Sequence, residues 1–322
     1  MRMILAYAKP YKWKIIQAMT VKFTGSMAEL LIPWILSKLV DEIIPMKVPA
    51  WIWLFGGLML AASLGACGLN IGANRLASGA SRRITQDLRD DLFQQMTQIS
   101  QSQFQQITLP SMISRVTSDS YNIHQFINMM MRMGVRAPIL TVGGLIMSFV
   151  LDPVLALAIV ALLPFMVLLL VTVYRLSQPL FLQAQRLADD IVRVVRDDIA
   201  GIRVVKAFGK EEEENRRFWE VNDAAARKDQ QAGQTTAVLN PGMNLCLNLG
   251  MVLAVVLGAF RVNSGDTMAG ELIAMLSYMT LILNGMLFLS RFFRSYAKAS
   301  ASASRIQSVL SLQPPDFGGS RN

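Results

Sequence analysis

Residues 102–138, SQFQQITLPSMISRVTSDSYNIHQFINMMMRMGVRAP, form a polar stretch bracketed by long apolar runs. Ahead of it, Ile84, Leu88, Leu92, Met96 and Ile99 recur at steps of three or four; within it, Ile113, Val116, Ile123, Ile127 and Met130 keep a matching helical register. Each series is the one-sided stripe of an amphipathic helix. Between them Thr108-Leu109-Pro110-Ser111 breaks the pattern. Threonine suits an N-cap, and proline suits a first helical turn, where the missing N–H is not needed. The stretch therefore reads as the tip and return arm of a helical hairpin. At ~1.5 Å per residue its arms stand on the order of 30 Å beyond a membrane. Spanning lipid requires no such stalk, so something outside the membrane is expected to act on the helices within it.

Composition places those helices in lipid. The 322 residues are 53% hydrophobic and only 16% charged, against about 25% charged in ordinary soluble domains. The net charge of +9 would suit nucleic acid. The basic residues cluster beside apolar runs, however, which is the positive-inside pattern, so no nucleic-acid partner is expected. Cys67 and Cys246 both lie in apolar runs and give neither a disulfide framework nor metal spacing. His124 stands alone on a polar helix, with no Cys or second His nearby, and reads as a solvated or hydrogen-bonded side chain rather than a ligand. Residues 1–14, MRMILAYAKPYKWK, have too short an apolar portion for a signal peptide. They read as an interfacial helix, with Tyr7, Tyr11 and Trp13 at headgroup depth and Lys9, Lys12 and Lys14 toward anionic lipid.

A spanning helix takes about 20 mostly apolar residues. Six stretches qualify: 15–39, interrupted by Lys22, Glu29 and Pro33; 51–74, without a charge; 137–151, short and borrowing from 129–135; 153–174; 237–260; and 272–290. Residues 38–50, Asp152-Pro153 and 261–271 are short connections on one side. Residues 75–136 and 175–229, with both termini, carry the Arg and Lys of the other, which is the cytoplasmic side by the positive-inside rule. The expectation is an all-α, multi-pass protein of the cell membrane, with six transmembrane helices, long cytoplasmic helical extensions and cytoplasmic termini.

The second excursion repeats the first. Leu187, Ile191, Val194, Val195, Ile199, Ile202 and Val205 make an apolar stripe, and KAFGKEEEENRRFWEVN (206–222) turns and returns. Glu212 with Arg216, and Glu213 with Arg217, stand at i,i+4, the favourable order for exposed ion pairs. A solvated helix face accounts for most of these charges. It does not account for two such excursions, each between a pair of spans. The terminal QPPDFGGSRN is Pro- and Gly-rich and reads as linker. The organisation is thus an interfacial helix at 1–14, a six-helix domain at 15–305 and a linker from 306.

Five pieces of this sequence resemble the type-1 transmembrane domain of ATP-binding-cassette (ABC) exporters. Asp87-Leu88-Arg89-Asp90-Asp91-Leu92-Phe93 is similar to the family's LR-x-x-LF stretch, and Ser114-Arg115-Val116-Thr117-Ser118-Asp119 to its SR-x-T-x-D signature. Gly201-Ile202-Arg203-Val204-Val205-Lys206-Ala207-Phe208, with Glu211 and Glu214, resembles the signature of the second excursion. Gly270-Glu271-Leu272 resembles the opening of the sixth helix, and Ser302-Ala303-Ser304-Arg305 its exit. The pieces occur in the family's order between about Tyr7 and Leu312. Residues 130–138 and 298–302 look more specifically like multidrug-type half-transporters, which often pair as unlike subunits.

The resemblance implies coupling helices at both tips that dock on nucleotide-binding domains, the second on the partner subunit's domain. They fall at Phe104, Gln105, Gln106, Ile107, Thr108 and Ser111, and at Ala207, Phe208, Gly209, Lys210 and Glu211. Pro110 departs from the Gly that many members carry and fixes φ at the first tip. No G-x-x-x-x-G-K-[ST] phosphate loop and no LSGGQ-type signature occurs in the sequence. ATP and Mg are therefore expected in a nucleotide-binding domain, supplied by a C-terminal continuation or a separate polypeptide. This stretch itself carries no catalytic, metal or cofactor residue. The implied function is alternating-access export of amphipathic or hydrophobic, drug-like compounds by a homo- or heterodimer. A lipid or peptide exporter on the same fold, and a motor-less membrane scaffold, are the alternatives.

Candidate cargo residues follow from cost. Glu29 is a carboxylate near mid-depth, unfavourable unless it faces a cavity or a partner; Lys22, two turns earlier, has the further option of snorkelling. Asn244 and Asn248 stand at i,i+4 in the fifth span, one turn beyond Asn240, and Asn284 lies in the sixth. Interhelical hydrogen bonding suits these amides as well as cargo does. Met243, Met251, Met275, Met279 and Met286 suit a promiscuous pocket, though ordinary packing uses methionine too. The cavity candidates are Glu29, Asn244, Asn248, Asn284 and Met286. Gly68 and Gly72 form a G-x-x-x-G, a pattern of close helix packing. Arg132 and Arg136 suit lipid headgroups or a substrate anion.

Overall fold

The computed structural model describes residues 1–100 and 107–312. Ten α-helices are described, and no strand occurs among the described residues: α1 (Arg2–Ala8), α2 (Lys12–Lys38), α3 (Pro49–Gln98), α4 (Leu109–Ser114), α5 (Ser120–Pro138), α6 (Gly144–Leu151), α7 (Pro153–Phe208), α8 (Glu211–Ala237), α9 (Leu239–Ser264) and α10 (Ala269–Leu310). A 3₁₀ turn, Lys9–Tyr11, joins α1 to α2, and π turns at Leu39–Ile43, Arg115–Asp119 and Ile139–Gly143 extend or link the longer helices. Six helical stretches are long and apolar enough to cross a membrane, at Met3–Ile43, Pro49–Gln98, Leu109–Leu151, Pro153–Phe208, Glu211–Ser264 and Ala269–Leu310. This is a multi-pass, all-α membrane protein with the expected six spans.

Helix length explains the stalks. The 50 residues of α3 extend about 75 Å, and a hydrocarbon core is about 30 Å thick. The apolar half lies N-terminal, and the amphipathic half beyond Asn74 continues as an arm. The third span is continuous from α5 through the π turn into α6, so it does borrow its length from the arm. Pro138, which has no N–H, immediately precedes that π turn.

The chain divides into two compact units, Met1–Leu157 with Ala254–Asn322, and Ala158–Leu253. In the first unit an arm core gathers Ile84, Leu88 and Leu92 of α3, Ile123, Ile127 and Met131 of α5, and Ala303, Ile306 and Val309 of α10. Ile4 of α1 joins them. Burying such side chains from water stabilises by about 1.5–3 kcal/mol each. Nearer the turns, Leu30, Leu140, Ala274 and Tyr278 form a second cluster, and the Tyr278 hydroxyl donates to the Leu30 carbonyl at 2.8 Å. Lipid offers little hydrophobic drive between helices, so close approach and polar bonds matter more here. A Cβ on Gly285 would meet Thr141 Oγ1 and, at 2.9 Å, the Ala137 carbonyl oxygen.

The short connections are tied by carboxylates. Asp152, buried between α6 and α7, accepts bonds from the Val154 and Leu155 N–H groups at 2.8 and 3.1 Å. Its other oxygen accepts from Arg261 Nε at 2.9 Å and from the Thr267 hydroxyl. Asp41 accepts from the Gly270 N–H at 2.6 Å, and Glu271 reaches back to the Met268 N–H at 3.1 Å. Both serve donors that the start of α10 would otherwise leave unpaired. A Cβ at 270 would stand 2.7 Å from the Ser37 carbonyl oxygen and from Asp41, which explains the glycine of Gly270-Glu271-Leu272.

Two boundaries differ from expectation. Residues 306–310 are helical, and Ile306 and Val309 are fully buried, because they complete the arm core rather than begin a linker. Tyr7 and Tyr11 meet the first arm: Tyr7 donates to Asp91 at 2.6 Å and Tyr11 to Asp87 at 2.8 Å. A carboxylate one hydrogen bond away outcompetes the headgroup position that composition suggested for these two hydroxyls. Trp13 remains exposed.

Candidate functional site

The arms of the first unit converge on a buried carboxylate. Asp119 is 2% exposed, at the end of the π turn after α4. Arg305 of α10 donates to it through Nε at 2.8 Å and also through Nη2, and Ser302, one helical turn earlier, donates at 2.9 Å. Asn122 bonds Ser302 at 3.1 Å, and Arg115 approaches Ser308 at 3.5 Å. Arg89 of α3 donates to Ser120, next to Asp119, at 2.7 Å. The arm end is closed by Gln95, which donates to the Leu312 carbonyl at 2.6 Å. Three stretches far apart in sequence thus form one clasp. Arg89 comes from the first, Asp119 from the second and Ser302 with Arg305 from the last. A two-pronged guanidinium–carboxylate bond fixes orientation as well as distance, so the clasp locks α10 to the hairpin arm.

The two tips fall one in each unit. At the first, Ile107 packs on the arm core, Thr108 is exposed before α4 and Ser111 is half-buried. Thr108 takes the N-cap position and proline the first turn, as expected, although the threonine side chain makes no cap bond. Leu109 and Ile113 are 56% exposed, an apolar surface on a helix of six residues. Phe104, Gln105 and Gln106 lie outside the described residues. At the second tip α7 ends at Phe208, and Gly209 takes φ +60°, where a side chain would be strained. Lys210 N–H returns to the Val205 carbonyl at 3.0 Å, closing the helix end, and α8 begins at Glu211. Ala207, Phe208, Gly209 and Lys210 are exposed and Glu211 is half-buried. The ion pairs here are Lys206–Glu211 at 3.1 Å, Lys210–Glu213 at 2.6 Å and Glu214–Arg217 at 3.4 Å. Glu213 thus pairs with Lys210, which flanks the turn, rather than with the expected Arg217, and Arg217 turns to Glu214; the expected Glu212–Arg216 pair does not form among the described residues.

Within the spans a second polar cluster links α2, α3 and α5. Glu29 accepts from Arg136 Nε and Nη2 at 3.1 and 2.9 Å, and from Asn70 Nδ2 at 2.8 Å. Lys22, 4% exposed, donates to Asn70 Oδ1 at 2.6 Å and Asn74 Oδ1 at 3.3 Å. Arg132 Nε also donates to Asn74 Oδ1, at 3.2 Å. Glu29 and Lys22 therefore meet through Asn70, and Arg136 holds a carboxylate rather than standing free for headgroups. Asn70 and Asn74 were the missed members. Their i,i+4 spacing on an uncharged span was the available signal.

Of the other cavity candidates, Asn284 is exposed on α10 and Met286 is buried in the same helix. Asn244 and Asn248 are exposed on α9 in the second unit. Met243, Met275 and Met279 are buried, as packing methionines are. Gly68 and Gly72 have nothing within 4 Å of a built Cβ, whereas Gly25 meets Leu69 and Asn70. The close approach of α2 to α3 therefore uses Gly25. His124 bonds Thr85 at 3.3 Å and stacks on Tyr121. No group of three or more His, Cys, Asp or Glu suited to a metal occurs among the described residues.

Comparison with known proteins accords with this geometry. The family model of the ABC transporter transmembrane region matches residues 15–287. An ABC transporter ATP-binding protein of Mycobacterium tuberculosis (strain CDC 1551 / Oshkosh) is 30% identical over 98% of this chain and 54% of its own length. One of Bacillus subtilis (strain 168) is 26% identical over 97% of this chain and 55% of its own. The ATP-dependent lipid A-core flippase of Nitrosococcus oceani is 21% identical over 97% of this chain and 52% of its own. The chain spans about half the length of the curated relatives it matches. With three of the family's motifs joined in one clasp and six helices long enough to span a membrane, the chain belongs to the ABC transporter transmembrane region family.

Proposed function

We propose that this chain is the membrane half of an ATP-driven exporter that moves amphipathic or hydrophobic, drug-like compounds by alternating access. ATP and Mg would bind a nucleotide-binding domain, and the two tips would dock on such domains, the second on that of the partner half-transporter. The arms would lie on the cytoplasmic side of the cell membrane, in keeping with the basic residues around them. The observation that carries this reading is the Asp119–Arg305–Ser302 clasp. It joins the arm below the first tip to the helix that leads back into the sixth span, so force applied at the tip reaches the spans through a rigid linkage. Relatives named as ATP-binding proteins, each about twice this length, support a motor on the same polypeptide. A second half is supported by the open apolar face of α7, where Ile199 is 70% and Ile202 48% exposed.

The test is ATP hydrolysis by the complete transporter in nanodiscs, with and without an amphipathic drug. Stimulation that Asp119→Ala abolishes, while nucleotide binding persists, is the expected result. Unchanged stimulation in that variant would overturn coupling through the clasp. A lipid cargo is the second reading, favoured by the relative named as a lipid A-core flippase. Stimulation by lipid in place of drug would select it.

A further inference from the structure

The cluster within the spans is not charge-balanced. Its cations are Lys22, Arg132 and Arg136, and its carboxylate is Glu29, which Arg136 engages with two nitrogens. Lys22 and Arg132 bond amide oxygens alone: Lys22 those of Asn70 and Asn74, and Arg132 that of Asn74. The sequence offers the first unit's helices no other acid at this level. No Asp or Glu occurs in residues 1–28, 30–40, 49–86, 120–151 or 272–312. Lys22 is nevertheless 4% exposed. A buried ammonium is strongly disfavoured unless an opposite charge accompanies it, and neutral amides supply only part of what water gave. Two positive charges, those of Lys22 and Arg132, therefore stand without a carboxylate among the apolar helices.

We propose that Lys22 and Arg132 form a binding site for the anionic head of an amphipathic molecule, a carboxylate or phosphate on an apolar tail. Arg132, exposed on α5, meets the head first, and Lys22 completes its charge from within. Asn74 Oδ1 accepts from both cations and so fixes their separation, and Asn70 Oδ1 holds Lys22 in addition. Glu29 already occupies Arg136, so it acts as the site's internal competitor. Its removal frees a third cation for the ligand. The inference deepens the exporter reading, because an anionic amphiphile at this position is either cargo or a bound lipid, and the chemistry of recognition is common to both.

The test uses the complete transporter in neutral phosphatidylcholine nanodiscs. Oleate is the probe, and oleyl alcohol and oleylamine are tail-matched controls. Oleate is expected to bind saturably and at least 10-fold more tightly than either control. Lys22→Met should weaken oleate about 10-fold, the equivalent of about 1.4 kcal/mol, and leave oleyl alcohol unchanged. Arg132→Gln, an exposed position that keeps the fold, should weaken it several-fold, and Glu29→Gln should tighten it. Equal affinity for oleate and oleyl alcohol, or oleate binding indifferent to both cation variants, would overturn the site. Phosphatidylglycerol added to the same nanodiscs separates the sources. ATP-dependent delivery of oleate marks cargo, whereas displacement of oleate by phosphatidylglycerol without ATPase stimulation marks a lipid site. Binding without any ATP-driven transport would refute the exporter reading and leave the site standing.

Discussion

The two arms carry the same apolar period and meet different fates. In the first, Ile84, Leu88 and Leu92 are at most 1% exposed, covered by α5 and α10. In the second, Val194 is buried, yet Val195, Ile199, Ile202 and Phe208 remain 37–75% exposed. An amphipathic stripe states that a helix needs a partner. It does not state where the partner is. The first arm finds its partner in its own unit, and the second presents the stripe to something further. This difference is the physical content of the dimer proposal, since apolar side chains left in water cost what burial would return.

The sharpest way to break the comparison is to truncate equivalent leucine and isoleucine positions. Leu88→Ala should lower the stability of the first unit by about 2–5 kcal/mol, because the cavity lies in a packed core. Thermal unfolding in detergent reads this directly, and a shift within error would show that the arm core is looser than its burial implies. Asp119→Ala should cost somewhat less, about 2 kcal/mol, because half-exposed Arg305 can recover water once its partner is gone. Its signature is specific: limited proteolysis should release α10 from the arms while the spans stay intact.

The connections at the far ends of the spans make a third contrast. Burial pushes the Asp152 carboxyl up, but Thr267, the Leu155 N–H, Arg261 and the Val154 N–H together hold it below the usual carboxylate range. A depressed folded value means that the stabilisation is present above the ordinary value of about 3.9 and disappears as pH falls through the folded one. Melting temperature should therefore be flat in this respect from roughly pH 5 to 8 and fall in stronger acid. Asp152→Asn should flatten that acid limb, and an unaltered limb would assign it to other carboxylates. The smallest effect is expected at the second arm. Ile199→Ala should change the stability of the chain by itself by less than about 0.5 kcal/mol, as surface substitutions do. The same variant should weaken the assembled transporter measurably.

Much of this molecule was legible in its sequence because hydropathy and helical period are local properties. Six spans, the two arms, the turn at Thr108–Pro110 and the break at Gly209 all follow from neighbours along the chain. The clasp was legible only in pieces. Asp119 and Arg305 each sat in a motif, but nothing local says that a carboxylate and a guanidinium 186 residues apart are bonded. The same holds for Asp41 with Gly270 and for Tyr7 with Asp91. Lys22 and Glu29 were marked by their cost in lipid; Asn70 and Asn74, which join them, carried only the weaker signal of an i,i+4 amide pair, and local sequence does not say which charged side chains such a pair faces. The unequal exposure of the two arms was invisible for the same reason, since both stripes have one period.

The most direct test of the account places a photo-crosslinking benzoylphenylalanine at position 199 and, separately, at position 84 of the complete transporter in native membranes. The account predicts an adduct between two half-transporters from 199 and only intramolecular products from 84. No intermolecular adduct from 199, or equal yields from both positions, would contradict it.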